Sequence, residues 1–145
     1  MDPQTRQTIA RLCQKHGVGL CYLFGSHVLP DDPDEMADVD IGIVPRGWPA
    51  ERSDLAQWLS LRKALEPLFA PRLVDLVQLD RAGTHLQSEA VTSGQLLYSA
   101  DEELRVAFED RVLRDWHDFA WVVEANYRDI CKEILGEEGR CTDEP

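Results

Sequence analysis

The sequence predicts an α+β domain, in which a mixed sheet of about four strands packs against helices and a long helix closes the fold. Two patterns support this prediction. Over the first 100 residues, short runs of β-forming apolar residues are interspersed with stretches of helical periodicity. After them, one apolar stripe recurs every three or four residues from Leu104 to Ile134. The length of 145 residues and the hydrophobic fraction of 43% suit a single core, so we expect one domain overall.

Four segments have the composition of strands. Residues 18–24 form an uninterrupted apolar run, which is typical of a strand buried on both faces. Residues 38–44 alternate with a period of two, and residues 73–79 form a third run of β-formers. Residues 95–99 are a brief fourth strand, expected at an edge of the sheet.

Four further segments have helical spacing. We expect helices over residues 4–16, 51–66, 84–93 and 101–136, with a flexible polar tail over 137–145. Pro67 and Pro71 bracket the end of the second helix, and Thr84 opens the third with a capping box.

The last helix is longer than a small sheet needs for cover. Its C-terminal half carries Trp116, Phe119, Trp121 and Tyr127. This half either meets a partner chain or folds back on its own domain, and the sequence favours neither.

The composition restricts the partners and the compartment. Lys and Arg total 15 against 27 Asp and Glu, a net charge of -12, so no direct binding to nucleic acid is expected. The charge favours a basic protein partner or a ligand brought in with metal ions, or it only keeps the protein soluble. Cys13, Cys21 and Cys131 fall on apolar faces, as expected of buried thiols, and no cysteine lies at zinc-ligand spacing. With no signal-like or membrane-spanning segment, we expect a cytoplasmic protein without membrane contact.

The candidate site begins with two carboxylates on one strand. A period of two places Asp38, Asp40 and Gly42 on one face, while Val39 and Ile41 point into a core. Carboxylates on a buried strand are costly unless their charge is compensated, and hard oxygen ligands select Mg²⁺ or Ca²⁺. The sequence therefore predicts a metal site here.

Two further features extend this site. Asp75 is the single charge within the third strand, which is unusual unless it is paired or bound to metal. Gly25-Ser26 directly follows the first strand, where backbone N–H groups and a hydroxyl suit a phosphate. Three carboxylates beside such a turn fit nucleotidyl transfer with two metal ions, and no P-loop or dinucleotide motif competes with this interpretation.

These motifs together resemble a known family. Gly25-Ser26, Asp38-Val39-Asp40 and the Asp75 of a VDLV run are similar to the signature of the polymerase β-type nucleotidyltransferase superfamily. More narrowly, the chain resembles the minimal nucleotidyltransferases, MNT-domain antitoxins that accompany HEPN-domain ribonuclease toxins. The resemblance covers most of the chain, including the SEAVTSGQLLYSAD segment and the long last helix.

The resemblance implies a small polymerase β-type fold with residues 1–100 as the minimal nucleotidyltransferase core. It implies that Asp38, Asp40 and Asp75 bind two Mg²⁺ ions, that Asp75 helps activate the attacking hydroxyl, and that Gly25 and Ser26 contact the phosphates of ATP. The implied activity is protein adenylylation (AMPylation), in which AMP passes from ATP to a tyrosine of the cognate HEPN toxin. The implied partner is that toxin, bound in a hetero-oligomer.

The chain departs from the family's pattern after Ser26. Eleven residues separate Ser26 from Asp38, one more than is usual in the family, and His27-Val28-Leu29-Pro30 stands where the family often has arginine. A missing arginine there is expected to weaken triphosphate binding. Two alternatives stay open: a binding-only antitoxin with a vestigial site, and a nucleotidyltransferase for a small molecule.

Overall fold

The computed structural model describes residues 1–25, 38–49 and 54–135, and within these ranges four helices surround one sheet of four strands. In chain order the elements are α1 (Pro3–Lys15), β1 (Val18–Phe24), β2 (Val39–Pro45), α2 (Leu55–Phe69), β3 (Val74–Gln78), α3 (Thr84–Ser93), β4 (Gln95–Ser99) and α4 (Glu102–Leu135). The predicted α+β class, the mixed sheet and the long last helix are confirmed.

The sheet has the order β3-β2-β1-β4. β1 pairs antiparallel with both β2 and β4, and all seven of its residues are buried, as its uninterrupted apolar run predicts. β2 pairs with β3 in parallel, and α2 forms the crossover between them. β4 lies at an edge as predicted, and β3 lies at the other edge.

A hydrophobic core lies on each face of the sheet. On one face α1 and α2 cover the sheet, and Val39 and Ile41 point into this core as predicted, together with Ile43. On the opposite face α3 and α4 pack against β1 and β2. That second core comprises Leu20, Tyr22, Phe24, Val44, Leu79, Ala90, Phe108 and Val112.

Three local predictions are wrong. α2 does not end at residue 66 but continues through Pro67 to Phe69, because proline keeps a helical φ and breaks only one bond of the last turn; its end still lies between Pro67 and Pro71, as predicted. The cap of α3 is Gly83 rather than Thr84, and the Gln87 side chain donates to the Leu79 carbonyl at 2.7 Å instead of closing a capping box. Cys131 is half-buried and disulfide-bonded rather than a buried thiol.

The two ends of the sheet can be named by the residues that mark them. The Gly25 end is the one at which β1 ends and β2 and β3 begin. The opposite end, at which β2 and β3 finish, is the Trp48 end. The register brings Phe24 beside Asp40 at one end and Val18 beside Pro45 at the other. At about 3.3 Å per residue, the strands separate these two ends by about 17 Å.

α4 is held to the sheet by its N-terminal half. The Tyr22 hydroxyl donates to Glu109 Oε2 at 2.7 Å, and Arg105 Nη1 donates to Glu109 Oε1 at 3.0 Å. Burial and the Glu109 hydrogen bond raise the pKa of the Tyr22 hydroxyl above its ordinary value, so the phenol stays neutral. Phe108 meets Trp48 edge to face with ring centroids 5.4 Å apart, which places this half of α4 at the Trp48 end. No helix in the described ranges has both the length and the apolar character needed to cross a membrane.

Candidate active site

Asp40 and Asp75 lie side by side at the Gly25 end of the sheet. They are register partners in the parallel pair formed by β2 and β3, so both side chains leave the same face from strands about 4.8 Å apart. Gly42, on the same face as Asp40, allows Leu79 to pack closely, because a Cβ there would lie 2.6 Å from Leu79 Cδ1. The structure therefore brings together two of the three predicted carboxylates.

Gly25 completes the junction between β1 and these carboxylates. Its φ is +82°, a conformation that glycine adopts with little strain. A Cβ on Gly25 would lie 2.5 Å from Asp40 Oδ2, so the backbone at the end of β1 lies directly against this carboxylate. Ser26, the other half of the predicted Gly-Ser turn, lies outside the described residues, as do residues 27–37.

Asp38 directly precedes β2 at the same end. The Val39 N–H donates to the Leu73 carbonyl at 2.8 Å, which ties the start of β2 to the segment before β3. Asp38 is two residues from Asp40 and immediately precedes the first residue of β2. All three predicted aspartates thus belong to one end of the sheet.

The burial of these aspartates differs from the sequence-based expectation. Asp38 and Asp75 are exposed, and Asp40 is half-buried. The expectation rested on the cost of burying charge, which does not apply to the two exposed carboxylates. β3 is an edge strand, and this position leaves Asp75 open to solvent.

The donor chemistry suits a hard divalent cation, since carboxylate oxygens are the ligands that Mg²⁺ prefers. The described carboxylates do not lie close enough together to form a complete metal-binding site. Within residues 1–25, 38–49 and 54–135, no group of three or more His, Cys, Asp or Glu side chains is close enough to hold a metal ion. The carboxylates still have the oxygen ligands that Mg²⁺ prefers, and Asp40 and Asp75 are adjacent on one face of the sheet.

A separate cavity of about 690 Å³ lies at the Trp48 end, between the turn after β2, α3 and α4. Trp48, Asp80 and Arg111 line it. The Oδ1 atom of Asp80 is buried there without a hydrogen-bond partner among the described residues, while Oδ2 accepts a hydrogen bond from Gln78 at 3.3 Å. Sequence reasoning assigned no role to Asp80, because an aspartate after a strand has no distinctive pattern.

The family model described as polymerase beta nucleotidyltransferase matches residues 7–103, which include Gly25 and all three aspartates. The chain belongs to this nucleotidyltransferase family. The resemblance stated from the motifs is confirmed at this level, and so is the polymerase β-type fold. A comparison with the sequences of curated proteins found no match.

Solved structures of similar fold come from toxin–antitoxin systems. One is a tri-AMPylated Shewanella oneidensis HEPN toxin in complex with an MNT antitoxin, with 24% identity, a TM-score of 0.65, and coverage of 90% of this chain and 98% of that one. Another is a toxin–antitoxin with AMP-PNP, with 23% identity, a TM-score of 0.67, and coverage of 86% and 97%. A third is the toxin–antitoxin MntA-HepT, with 22% identity, a TM-score of 0.64, and coverage of 89% and 98%. At these identities the likeness establishes the fold.

Proposed function

We propose that this chain is an antitoxin that transfers AMP from ATP to a tyrosine of a HEPN-domain ribonuclease toxin and thereby neutralises it. One observation carries the proposal: a nucleotidyltransferase fold places Asp40 beside Asp75, with the Gly25 backbone against Asp40. The solved structures of similar fold support the choice of partner and of transferred group, because they include an AMPylated HEPN toxin and a complex with AMP-PNP.

In the proposed reaction, the tyrosine oxygen attacks the α-phosphorus of ATP. A new P–O bond forms to the tyrosine, the bond to the β-phosphate breaks, and pyrophosphate leaves. Asp75, exposed on an edge strand, is accessible to the hydroxyl of a protein substrate and would accept its proton. Gly25 and Ser26 would hold the phosphates against the end of β1, where the absence of a Cβ lets the backbone approach closely.

Asp38, Asp40 and Asp75 would hold two Mg²⁺ ions, which when bound supply positive charge for the attacking oxygen and the leaving pyrophosphate. The chain's own part is to fix the carboxylates. The β2–β3 register holds Asp40 beside Asp75, and Gly25 limits the positions open to the Asp40 carboxylate. We assign residues 1–100 to this catalytic core, and α4 to the connection with the partner.

The experiment is co-production of this chain with a HEPN-domain ribonuclease partner, followed by addition of ATP and Mg²⁺ and intact-mass measurement of the partner. We expect the partner to gain the mass of one or more AMP groups and to lose ribonuclease activity. The Asp40→Asn variant should add none, and Asp54→Asn, on the cap of α2, is the matched control that should transfer AMP normally. A partner of unchanged mass beside the unmodified antitoxin would contradict the proposal.

The alternative of a binding-only antitoxin is favoured by one observation, the lack of a closed three-carboxylate cluster among the described residues. It predicts that an Asp38→Asn/Asp40→Asn variant still silences the toxin at equal stoichiometry. Loss of protection by that variant, with the complex intact, would exclude it. A small-molecule nucleotidyltransferase is disfavoured by the exposure of Asp38 and Asp75, since a small acceptor needs an enclosing pocket.

A further inference from the structure

The apolar face of α4 continues well past the core that it covers. Phe108 and Val112 on this face are 1% and 2% exposed, respectively. The same face then continues through Phe119 and on to Ile134, which are 46% and 74% exposed. The periodicity that buries the first half of the helix is therefore maintained where the described part of the domain offers nothing to bury it.

Trp121 and Val122 are exposed elsewhere on this half of the helix, but five exposed apolar residues form one narrow band, which we call the α4 stripe: Phe119, Val123, Tyr127, Ile130 and Ile134. At about 100° per residue, these five side chains fall within about 80° of the helix circumference, and Phe119 to Ile134 spans about 22 Å. This is the pattern of a helix that lies in an apolar groove of another protein.

The charges beside the α4 stripe indicate the character of its partner. The same helical geometry places Asp118, Asp129 and Glu133 along one side of the stripe. Arg128, in contrast, pairs with Glu124 at 2.7 Å and lies on the side away from it. Two copies of this chain packed antiparallel would bring their acidic sides together, whereas a groove with basic flanks would complement them.

The α4 stripe is also remote from the candidate active site. α4 contacts Trp48 through Phe108, and its Trp116 ring lies 5.8 Å from the His85 ring in the first turn of α3, which is at the Trp48 end. The second half of the helix therefore leaves the domain from the end opposite to Asp40 and Asp75. Docking on the stripe does not need the catalytic carboxylates.

We propose that the α4 stripe is the docking surface for the HEPN toxin, received in an apolar groove with basic flanks, and that it works independently of the aspartate site. This inference rests on the proposed function for the identity of the partner. It goes beyond that function by separating the surface that holds the toxin from the residues that modify it.

The test measures the affinity of purified antitoxin for the HEPN-domain protein, together with AMP transfer, in three variants. Ile130→Lys removes an exposed apolar side chain from the stripe and adds a charge that a basic flank repels. Trp121→Lys is the matched control, because Trp121 is 70% exposed on the opposite side of the same helix. Asp40→Asn tests the aspartate site. Lysine is a good helix former, and circular dichroism with thermal unfolding checks that each variant is folded.

We expect Ile130→Lys to weaken binding at least tenfold, while Trp121→Lys and Asp40→Asn bind like the unmodified chain. Unchanged binding by Ile130→Lys would overturn the docking surface, and the proposed function would stand if AMP were still transferred. Equal weakening by Ile130→Lys and Trp121→Lys would also overturn it, as would self-association of the antitoxin that Ile130→Lys abolishes, which would make a second copy the occupant. Failure of the proposed function has a different signature, namely intact binding without AMP transfer in the unmodified protein.

Discussion

Replacement of Gly25 by alanine tests the contact on which the candidate active site depends. The new Cβ would lie 2.5 Å from Asp40 Oδ2, and ordinary contact begins at 3.4 Å, so the carboxylate or the backbone must move by about 0.9 Å. Misplacement of a reacting group by about 1 Å can cost about 100-fold in rate, so we expect AMP transfer to fall by about 100-fold. The φ of +82° adds strain of about 1–2 kcal/mol, because an alanine Cβ disfavours this conformation.

The assay follows the mass of the HEPN partner over time at fixed ATP and Mg²⁺, beside urea unfolding of each variant. For a chain of this size the strain corresponds to a fall in Tm of about 2–8 °C, so the rate is compared well below the transition. Gly83→Ala is the matched control. No atom lies within 4 Å of its Cβ position among the described residues, and φ -68° with ψ 158° suits alanine. Its expected cost is that of a weaker helix cap, about 1 kcal/mol or less, with no change in rate.

A Gly25→Ala enzyme that transfers AMP at the unmodified rate would refute the reasoning, because it would show that the position of Asp40 does not depend on this contact. Equal losses of rate in Gly25→Ala and Gly83→Ala would refute it too, since only one of the two glycines approaches a carboxylate.

Three further predictions test the fold and the site. Gly42→Ala should lower the free energy of unfolding by about 1–3 kcal/mol in urea titrations, because its Cβ would overlap Leu79; an unchanged value would mean that Leu79 repacks without cost. The raised pKa of Tyr22 gives stability that is fully present below the unfolded-state pKa of about 10 and is lost as the pH rises above it, by up to about 1.4 kcal/mol per pH unit. Tyr22→Phe should flatten that alkaline slope in unfolding measured from pH 8 to 11, and an identical slope would show that ionisation of Tyr22 does not cause it. Asp75→Asn should abolish AMP transfer while the free energy of unfolding changes by less than about 0.5 kcal/mol, since the side chain is exposed; a large loss of stability would assign Asp75 a structural role instead.

The strands were predictable because their burial is visible in the sequence itself. Residues 18–24 contain no polar alternation, and they form the central strand with both faces covered. The side-by-side placement of Asp40 and Asp75 was not predictable from local pattern, because it depends on the order and register of two strands joined by a long crossover. The charges within apolar strands grouped Asp75 with Asp38 and Asp40 in one predicted site, but they did not reveal that Asp75 is the register partner of Asp40.

Periodicity could not predict that Asp75 is exposed, or that α4 extends beyond the core of its own domain. A strand run looks alike at the centre and at the edge of a sheet, and only the order β3-β2-β1-β4 reveals that Asp75 lies at an edge. In the same way, the stripe of α4 has one period throughout, so the sequence does not mark the point after Val112 where the domain's own core ends. An apolar face looks the same whether it packs within the chain or against another protein.

A second half of α4 that extends from the Trp48 end has a kinetic consequence. A toxin held there would stay bound to the antitoxin after each transfer, because the modified tyrosine is not part of the docking contact. The local concentration of acceptor would then be set by geometry rather than by the amount of toxin in solution. Any later transfer would then proceed without a new encounter, and its rate would not depend on dilution.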